Sequence, residues 1–551
     1  MDAILTGQML AGLLFLFILG ALMTGYIVAF TLGGLATLFG LAGMWLGHFD
    51  PALFQGLPTR FWGVVTNPVL VAVPLFVFMG VVLERSGIAE RLLTTMGQLF
   101  GSMRGGLGLS VVLVGALLAA ATGVVGATVV TMGLLSLPAM MRAGYDPKLA
   151  TGVICAAGTL GQILPPSTVL IFMADILQGA NAAAQFAKGN FAPETVSVGD
   201  LFAGAFIPSL ILAVLYMGYV GWVAMTQPAS CPPVTMTAAE RDGLIRRIVV
   251  ALIPPLVLVA SVLGSIVGGV ATPTESASVG ALGALLLAAV RLLADRWLGA
   301  DGETKEERLF WFWIGFLGLL AILGLAFGAF GLLTFLVVAL AVAAVAVLLD
   351  GFARRAYLDT LVRSCTGTMT ITSMVFVILL GATAFALVFT RLGGDVLVRD
   401  FLQSMPGGAF GALMIVFLIV FVLGFFLDTF EILFIVIPIT APVLLAMDVN
   451  AVWLGVMMGV LLQTSFLTPP FGFSLFYLRG VAPRAITTPM IYRGVLPFIA
   501  VQIVVLGVVW AAPGLATWLP GRLFGPAVAA GDTVAPTFYD GLPEVEGEWG
   551  D

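Results

Sequence analysis

Two long apolar tracts, each interrupted by the same residues at the same spacing, constrain this chain more than any other feature. The first, Gly115 to Phe172, reads GALLAAATGVVGATVVTMGLLSLPAMMRAGYDPKLATGVICAAGTLGQILPPSTVLIF. The second, near Ile419 to Phe476, contains FFLDTFEILFIVIPITAPVLLAMDVNAVWLGVMMGVLLQTSFLTPPFGFSLF. Pro138 and Pro442 are 304 residues apart, and so are Pro165 and Pro469, Pro166 and Pro470, and Phe172 and Phe476. A membrane-embedded backbone must satisfy its own hydrogen bonds, and a break is tolerated only where protein or a water-filled cavity surrounds it. Paired interruptions at corresponding positions of two halves are the sequence mark of a secondary-transporter site.

Composition sets the solvent. Hydrophobic residues make up 60% of the 551, and charged residues only 9%, against about 25% in a soluble domain. Apolar runs long enough to cross a bilayer recur along the whole length. No alternating barrel pattern accompanies them, so the expected fold is an all-α polytopic membrane protein. Cys155, Cys231 and Cys365 lie far apart, and His48 is the single histidine, which argues against a disulfide framework and a transition-metal centre. No nucleic-acid partner is expected. The first apolar run lacks a basic region followed by a cleavage signal, so it is expected to stay as a helix.

The charged residues order the spans. Residues 9–47 read as two helices broken at Gly33-Gly34, 69–84 as a span containing a proline, and 85–104 as an interfacial helix. Residues 105–142 enter at Arg104 and leave at Arg142, both basic, which under the positive-inside rule places both ends in the cytoplasm. That favours a re-entrant hairpin over two ordinary spans. Residues 149–176 cross as a helix broken at Gly158–Ser167, 178–200 form an outer loop, and 201–226, 247–269, 275–294, 309–330 and 331–349 are further spans. Residues 366–390 cross outward, a second hairpin occupies 408–447, a second broken helix 451–478, and a last span 494–519. Counted this way, the hairpins enter from opposite faces, as inverted repeats do. The expected partition is 1–104 (scaffold), 105–176 (first hairpin and broken helix), 177–294 (scaffold and connections) and 295–365 (an insertion with two spans). It continues with 366–407 (scaffold), 408–478 (second hairpin and broken helix) and 479–551 (last span and acidic tail).

Helices broken at mid-membrane free carbonyls that suit a hard cation and helix N-termini that suit a carboxylate. In the first half the candidates are Thr122 and Thr128 at the hairpin tip, Thr159 and Ser167 at the break, and Gly123, Gly126, Gly158 and Gly161 for close backbone approach. Pro165 and Pro166 stop the helical ladder from re-forming. The second half offers Asp428, Thr429, Gln463, Thr464, Ser465 and Thr468, with Pro469-Pro470 at the break. For any single Gly or Thr, helix packing by small residues is the competing reading. Glu275, Asp428 and Glu431 are acids in or beside apolar surroundings, and such acids are functional candidates by default. For Glu275, which follows Thr272-Pro273, an N-terminal cap competes equally. Asp175 reads as a helix-end residue near water.

The segments PLFVFMGVVLERSGIAERL, ATGVVGATVVTMG, YDPKLATGVICAAGTLGQILPPS, GGVATPTESASVGAL, FFLDTFEILFIVIPITAPV and LQTSFLTPPFGFSLFYLRGVAP resemble the large membrane (DctM-type) subunit of tripartite ATP-independent periplasmic (TRAP) transporters. The resemblance covers nearly the whole chain apart from 227–246, the insertion 295–350 and the tail. It implies an inverted-repeat elevator transporter of the bacterial inner membrane, driven by Na⁺ and importing an organic acid. It also implies two partners: a soluble periplasmic binding protein and a small four-helix membrane subunit on a separate chain. The insertion and the motifs FLDTFEI and LQTSFLTPPFGFSLFYLRG are similar to a longer branch associated with 2-oxo acids, mannitol or haloaromatic acids. The family's first hairpin tip is commonly SGS-like, whereas Val124-Val125 follow Gly123 here, so backbone or Thr128 would have to supply those oxygens. The rival readings are a self-sufficient ion-coupled carboxylate carrier, a passive channel, and an intramembrane enzyme, for which no paired catalytic motif is present.

Overall fold

The computed structural model describes residues 2–234, 244–298 and 355–525. The two spans expected within the insertion and the acidic tail after 525 lie outside the described residues, as does the Thr122 side chain. The helices are α1 (Asp2–Leu22), α2 (Val28–Trp45), α3 (Ala52–Gln55), α4 (Leu57–Val65), α5 (Pro68–Arg85), α6 (Ile88–Gly101), α7 (Gly106–Thr122), α8 (Val125–Arg142), α9 (Pro147–Thr159), α10 (Thr168–Ala187) and α11 (Val198–Thr226). They continue with α12 (Leu244–Val267), α13 (Pro273–Leu298), α14 (Arg355–Arg391), α15 (Gly394–Gln403), α16 (Ala409–Leu423), α17 (Thr429–Ile435), α18 (Ile437–Ala446), α19 (Ala451–Leu467), α20 (Phe473–Val481), α21 (Thr488–Ala511) and α22 (Gly514–Leu523). Among the described residues, eight helices are long and apolar enough to cross a membrane.

The burial pattern is that of a protein dissolved in lipid. Large apolar side chains such as Leu16, Phe30 and Leu210 are exposed, whereas Thr159, Ser167, Thr464 and Ser474 are buried. With hydrocarbon outside, exposing apolar groups costs nothing, and polar groups gather where protein can satisfy them.

The 304-residue offset is carried into the helices. Asp146 caps α9 through Lys148 N, and Asn450 caps α19 through Trp453 N; these two caps are 304 positions apart. So are Val124 and Asp428, the N-cap residues of α8 and α17. The series α5 to α11 is therefore repeated by the C-terminal part of α14, then α15, α16, α17 with α18, α19, α20 and α21. The arm that is one continuous helix in the first repeat (α8) is split in the second into α17 and α18, bent by 53°. Arm α8 packs on α20 of the other repeat, and arm α18 packs on α10. This exchange of partners is what a two-fold relation between the halves requires.

Several expected boundaries move. Gly33-Gly34 lies inside α2, and the chain turns instead at 23–27, where Gly25 takes φ +79°. A Cβ at either of those two glycines would meet nothing within 4 Å, so they face open space and need no break. Helix α10 continues to Ala187, shortening the outer loop expected from 178, and Asp175 sits within this helix and accepts from Asn67 Nδ2 at 2.8 Å. Helix α14 starts 11 residues before the span expected at 366. The last span ends at Ala511, and a separate helix, α22, follows. The segment expected as a lone interfacial helix, α6, buries Ala89, Leu92 and Met96 against its neighbours.

Helices α9 and α21 meet through glycines: a Cβ on Gly152 would lie 2.1 Å from Gly494 O, and one on Gly494 would lie 2.1 Å from Lys148 O. Backbones this close leave no room for a side chain. Replacing Gly152 by Leu is expected to lower the melting temperature of the purified protein by several degrees, since overpacking costs about 1–3 kcal/mol. Gly20→Leu, where a Cβ meets nothing within 4 Å, is expected to leave it unchanged; equal melting temperatures for the two variants would refute the close crossing.

Candidate functional site

The two interruptions meet at the centre of the molecule. In the first repeat α7 ends at Thr122, Gly123 turns the chain with φ +62°, and α8 begins at Val125. A non-glycine residue pays a steric cost at that φ, and a Cβ there would also lie 3.0 Å from Thr168. Thr168 Oγ1 donates to Gly123 O at 2.9 Å, fastening the hairpin tip to the first turn of α10. Helix α9 gives way at Leu160–Gln162 to a short 3-10 turn, and Pro165-Pro166, a cis pair, separates it from α10. Ser167 Oγ donates to Gln162 O at 2.8 Å, satisfying one carbonyl that the break leaves without a helical partner. Gly158 and Gly161 let the hairpin arms close in, since a Cβ on either would press on Val129 or Ala119. Gly126 faces Tyr477 of the other repeat, where a Cβ would lie 3.0 Å from the ring.

The second repeat builds its half differently. Asp428 is half-buried at the tip and heads α17: its carboxylate accepts from Thr429 N at 2.8 Å, while Glu431 Oε2 accepts from Asp428 N at 3.1 Å. This reciprocal capping box places two carboxylates together in a low-dielectric region. Thr464, Ser465 and Thr468 each donate to a carbonyl of their own helix, at 2.7, 2.8 and 2.7 Å. With their hydrogens so directed, these oxygens keep lone pairs free to accept or to coordinate. Pro469-Pro470 is again a cis pair, and Ser474 Oγ donates to Phe466 O at 2.9 Å across the break.

Two side-chain amides at the breaks bond across to the other half. Gln162 Nε2 donates to Thr429 Oγ1 at 2.7 Å, and Gln463 Nε2 donates to Thr159 Oγ1 at 3.3 Å. Thr159 and Gln463 are themselves 304 residues apart, so equivalent positions of the repeats touch each other. The carbonyl oxygens of both amides, Gln162 Oε1 and Gln463 Oε1, are buried and have no hydrogen-bond partner among the described residues. Phe172 closes the region with edge-on contacts to Phe430 and Phe434 at 5.7 and 5.0 Å.

The candidates named from sequence thus divide. Gly123, Gly126, Thr128, Gly158, Thr159, Gly161, Ser167, Asp428, Thr429, Glu431, Gln463, Thr464, Ser465 and Thr468 all belong to the two tips and breaks and their immediate packing. Glu275 stands apart: it is exposed at the start of α13, accepting from Thr272 N at 2.8 Å while its own N–H donates to Thr272 Oγ1, which is an N-terminal cap. Thr128 Oγ1 donates to Val124 O at 3.1 Å, which ties its proton within the tip. Sequence reading missed Gln162, Thr168 and Gly424; a Cβ on Gly424 would lie 2.1 Å from Ser465 Oγ. An amide in the apolar run GQILPP was the available signal for Gln162.

An all-α membrane protein of two repeats, each with a helical hairpin and a broken helix, has the build of a secondary transporter. The family model of the tripartite ATP-independent periplasmic transporter, DctM component, matches residues 13–337 and 310–515, and the chain belongs to this family. It is therefore a transporter permease subunit and not an enzyme. It is 27% identical over 525 residues, 94% of this chain and 99% of the relative, to the C4-dicarboxylate TRAP transporter large permease protein DctM of Vibrio cholerae. It is 23% identical to the sialic acid TRAP transporter large permease protein SiaM of the same organism, over 84% of this chain and 88% of that one. It is 24% identical to the isethionate TRAP transporter permease protein DctMQ of Oleidesulfovibrio alaskensis, covering 82% of this chain and 58% of that protein. The Alcanivorax borkumensis YdaH transporter shares the fold, with a TM-score of 0.51 and 14% identity over 86% of this chain and 90% of that one.

Thr429→Val removes the acceptor of the Gln162 amide without changing shape. Leaving that buried donor unpaired is expected to cost about 1–3 kcal/mol, read as a lower melting temperature in detergent. Adding Gln162→Leu should recover most of the loss, because both polar partners are then gone. A double variant as unstable as the sum of the singles would show that the bond does not couple the repeats.

Proposed function

We propose that this chain is the large permease subunit of a Na⁺-coupled, binding-protein-dependent transporter that imports an organic acid across the bacterial inner membrane by an elevator motion. The observation that carries the reading is the central crossing. Broken helices and hairpin tips from both repeats are joined there by the Gln162–Thr429 and Gln463–Thr159 hydrogen bonds, and these tips and breaks carry two buried amide oxygens, three helix-bonded hydroxyls and the Asp428–Glu431 pair. Neutral oxygens and carboxylates suit a hard monovalent cation, and the helix starts at Val125 and Thr168 offer positive dipole ends to a substrate carboxylate.

The unit that moves comprises the segments 105–176 and 408–478, and α5 with the surrounding helices is its scaffold. At the two ends of α5, polar contacts tie this scaffold helix to the moving unit: Asn67 with Asp175 at 2.8 Å, and Thr131 Oγ1 donating to Glu84 Oε1 at 2.7 Å. Each hairpin re-enters on the face it left, from opposite sides of the bilayer. The site residues are those of the tips and breaks, with Asp428 as the principal carboxylate, Glu431 as its neighbour, and backbone oxygens replacing the side chains that Val124-Val125 lack. Glu275 is a structural cap in this reading. The partners are a periplasmic binding protein that delivers the substrate and a small four-helix membrane subunit; relatives named for C4-dicarboxylates, sialic acid and isethionate support an acidic substrate.

Uptake by the reconstituted chain is expected to require Na⁺, the binding protein and the small subunit together. Transport by this chain alone would establish the self-sufficient carrier instead. Asp428→Ala is expected to weaken the dependence of uptake on Na⁺ by roughly ten-fold or more in half-saturating concentration, since a direct charge contact contributes about 1.5–3 kcal/mol. An unchanged Na⁺ response would remove Asp428 from the cation site.

A further inference from the structure

A second polar feature lies away from the central crossing, at the end of the helix bundle that carries the basic loops. There the C-terminal end of α5 meets the first turns of α14 around a cleft of about 310 Å³, lined by Arg85, Asp359, Thr360 and Arg363. Arg85 closes α5, and its guanidinium lies along α14: a Cβ on Gly367 would stand 3.3 Å from Arg85 Nη2. Gly367, one turn beyond Arg363 on α14, leaves the space that the Arg85 guanidinium occupies. Neither guanidinium is engaged in an ion pair among the described residues. The acid next in sequence, Glu84, is turned the other way, to Thr131.

Charge and depth identify the ligand. Two arginines and one aspartate give the lining a net charge of +1 (+2 − 1), which a phosphodiester, with its single negative charge, neutralises. A free phosphate dianion would overshoot that balance and would be repelled by Asp359. The guanidinium fork matches phosphate oxygens, and Asp359 can accept from a hydroxyl on the same group. The cleft stands where apolar helix gives way to charge, at headgroup level, and basic pockets between spanning helices are suited to anionic lipid. Val362 and Met369, seven residues apart and so on one side of α14 beside the cleft, are 61% and 67% exposed and make a short outward-facing apolar strip. An acyl chain would lie against it.

We propose that the Arg85–Arg363 cleft binds the headgroup of an anionic glycerophospholipid, with the phosphodiester between the two guanidinium groups and a headgroup hydroxyl on Asp359. Phosphatidylglycerol has this chemistry.

The test is lipid retention by the full chain, delipidated in detergent and supplied with phosphatidylglycerol, phosphatidylcholine or inorganic phosphate, read by native mass spectrometry. The expected result is retention of one phosphatidylglycerol that neither millimolar phosphate nor phosphatidylcholine displaces. Retention should fall roughly ten-fold for each guanidinium removed in Arg85→Gln and Arg363→Gln, with Arg363→Lys intermediate. Undiminished retention in the double variant, or displacement by inorganic phosphate, would overturn the proposal. Should the double variant fail to fold, the competition on the parent chain still decides, because loss of selectivity over phosphatidylcholine also overturns it. The outcome does not depend on the ion or substrate assigned to the central crossing.

Discussion

Every broken helix in a membrane leaves amides and carbonyls that lipid cannot satisfy, and the rest of this fold is arranged around that debt. Ser167 and Ser474 return hydroxyl protons to Gln162 O and Phe466 O at the two breaks, and Thr168 does the same for Gly123 O at the first tip. Arm α8 lies on α20 and α18 on α10, and glycines let α8 approach α9 and α20, at Gly158 and Gly133. The repeats complete each other, so neither half could hold its interruption alone.

The symmetry of backbone is not a symmetry of chemistry. Val124 and Asp428 occupy equivalent N-cap positions, and so the first tip presents only backbone where the second presents a carboxylate. Glu431 reinforces the difference by capping Asp428. Any cation held near the second tip meets negative charge, and one near the first meets only neutral oxygens. Two halves of one architecture thus offer sites of unequal strength. The two unpartnered amide oxygens, Gln162 Oε1 and Gln463 Oε1, lie between these extremes.

The reading from sequence worked where a residue's effect is local. Pro165-Pro166 and Pro469-Pro470 cannot continue a helix, and the breaks fall there. Asp428 falls at the hairpin tip expected for it, while its role as helix cap, like those of Asp146 and Asn450, comes from the structure. The reading from sequence went astray where packing decides: Gly33-Gly34 has the composition of a break, yet both residues stay helical because nothing crowds them and α2 has no partner that needs a turn there. Asp175, taken for a helix end, lies inside α10 because Asn67 from α5 satisfies it. Gln162 was passed over because a lone amide in an apolar run has no periodic signature; its role appears only with Thr429 opposite.

Sequence alone determined the lipid environment, the all-α build, the two-fold repeat at 304 residues and the positions of both interruptions. All of these follow from composition, from proline and glycine backbone limits, and from spacing along one chain. Tertiary structure decided which interruption faces which, that Gln162 and Gln463 bridge the repeats, that Glu275 is an exposed cap, and that Arg85 and Arg363 share a cleft. Those are contacts between residues hundreds of positions apart, and only the packing of one repeat against the other brings them within reach.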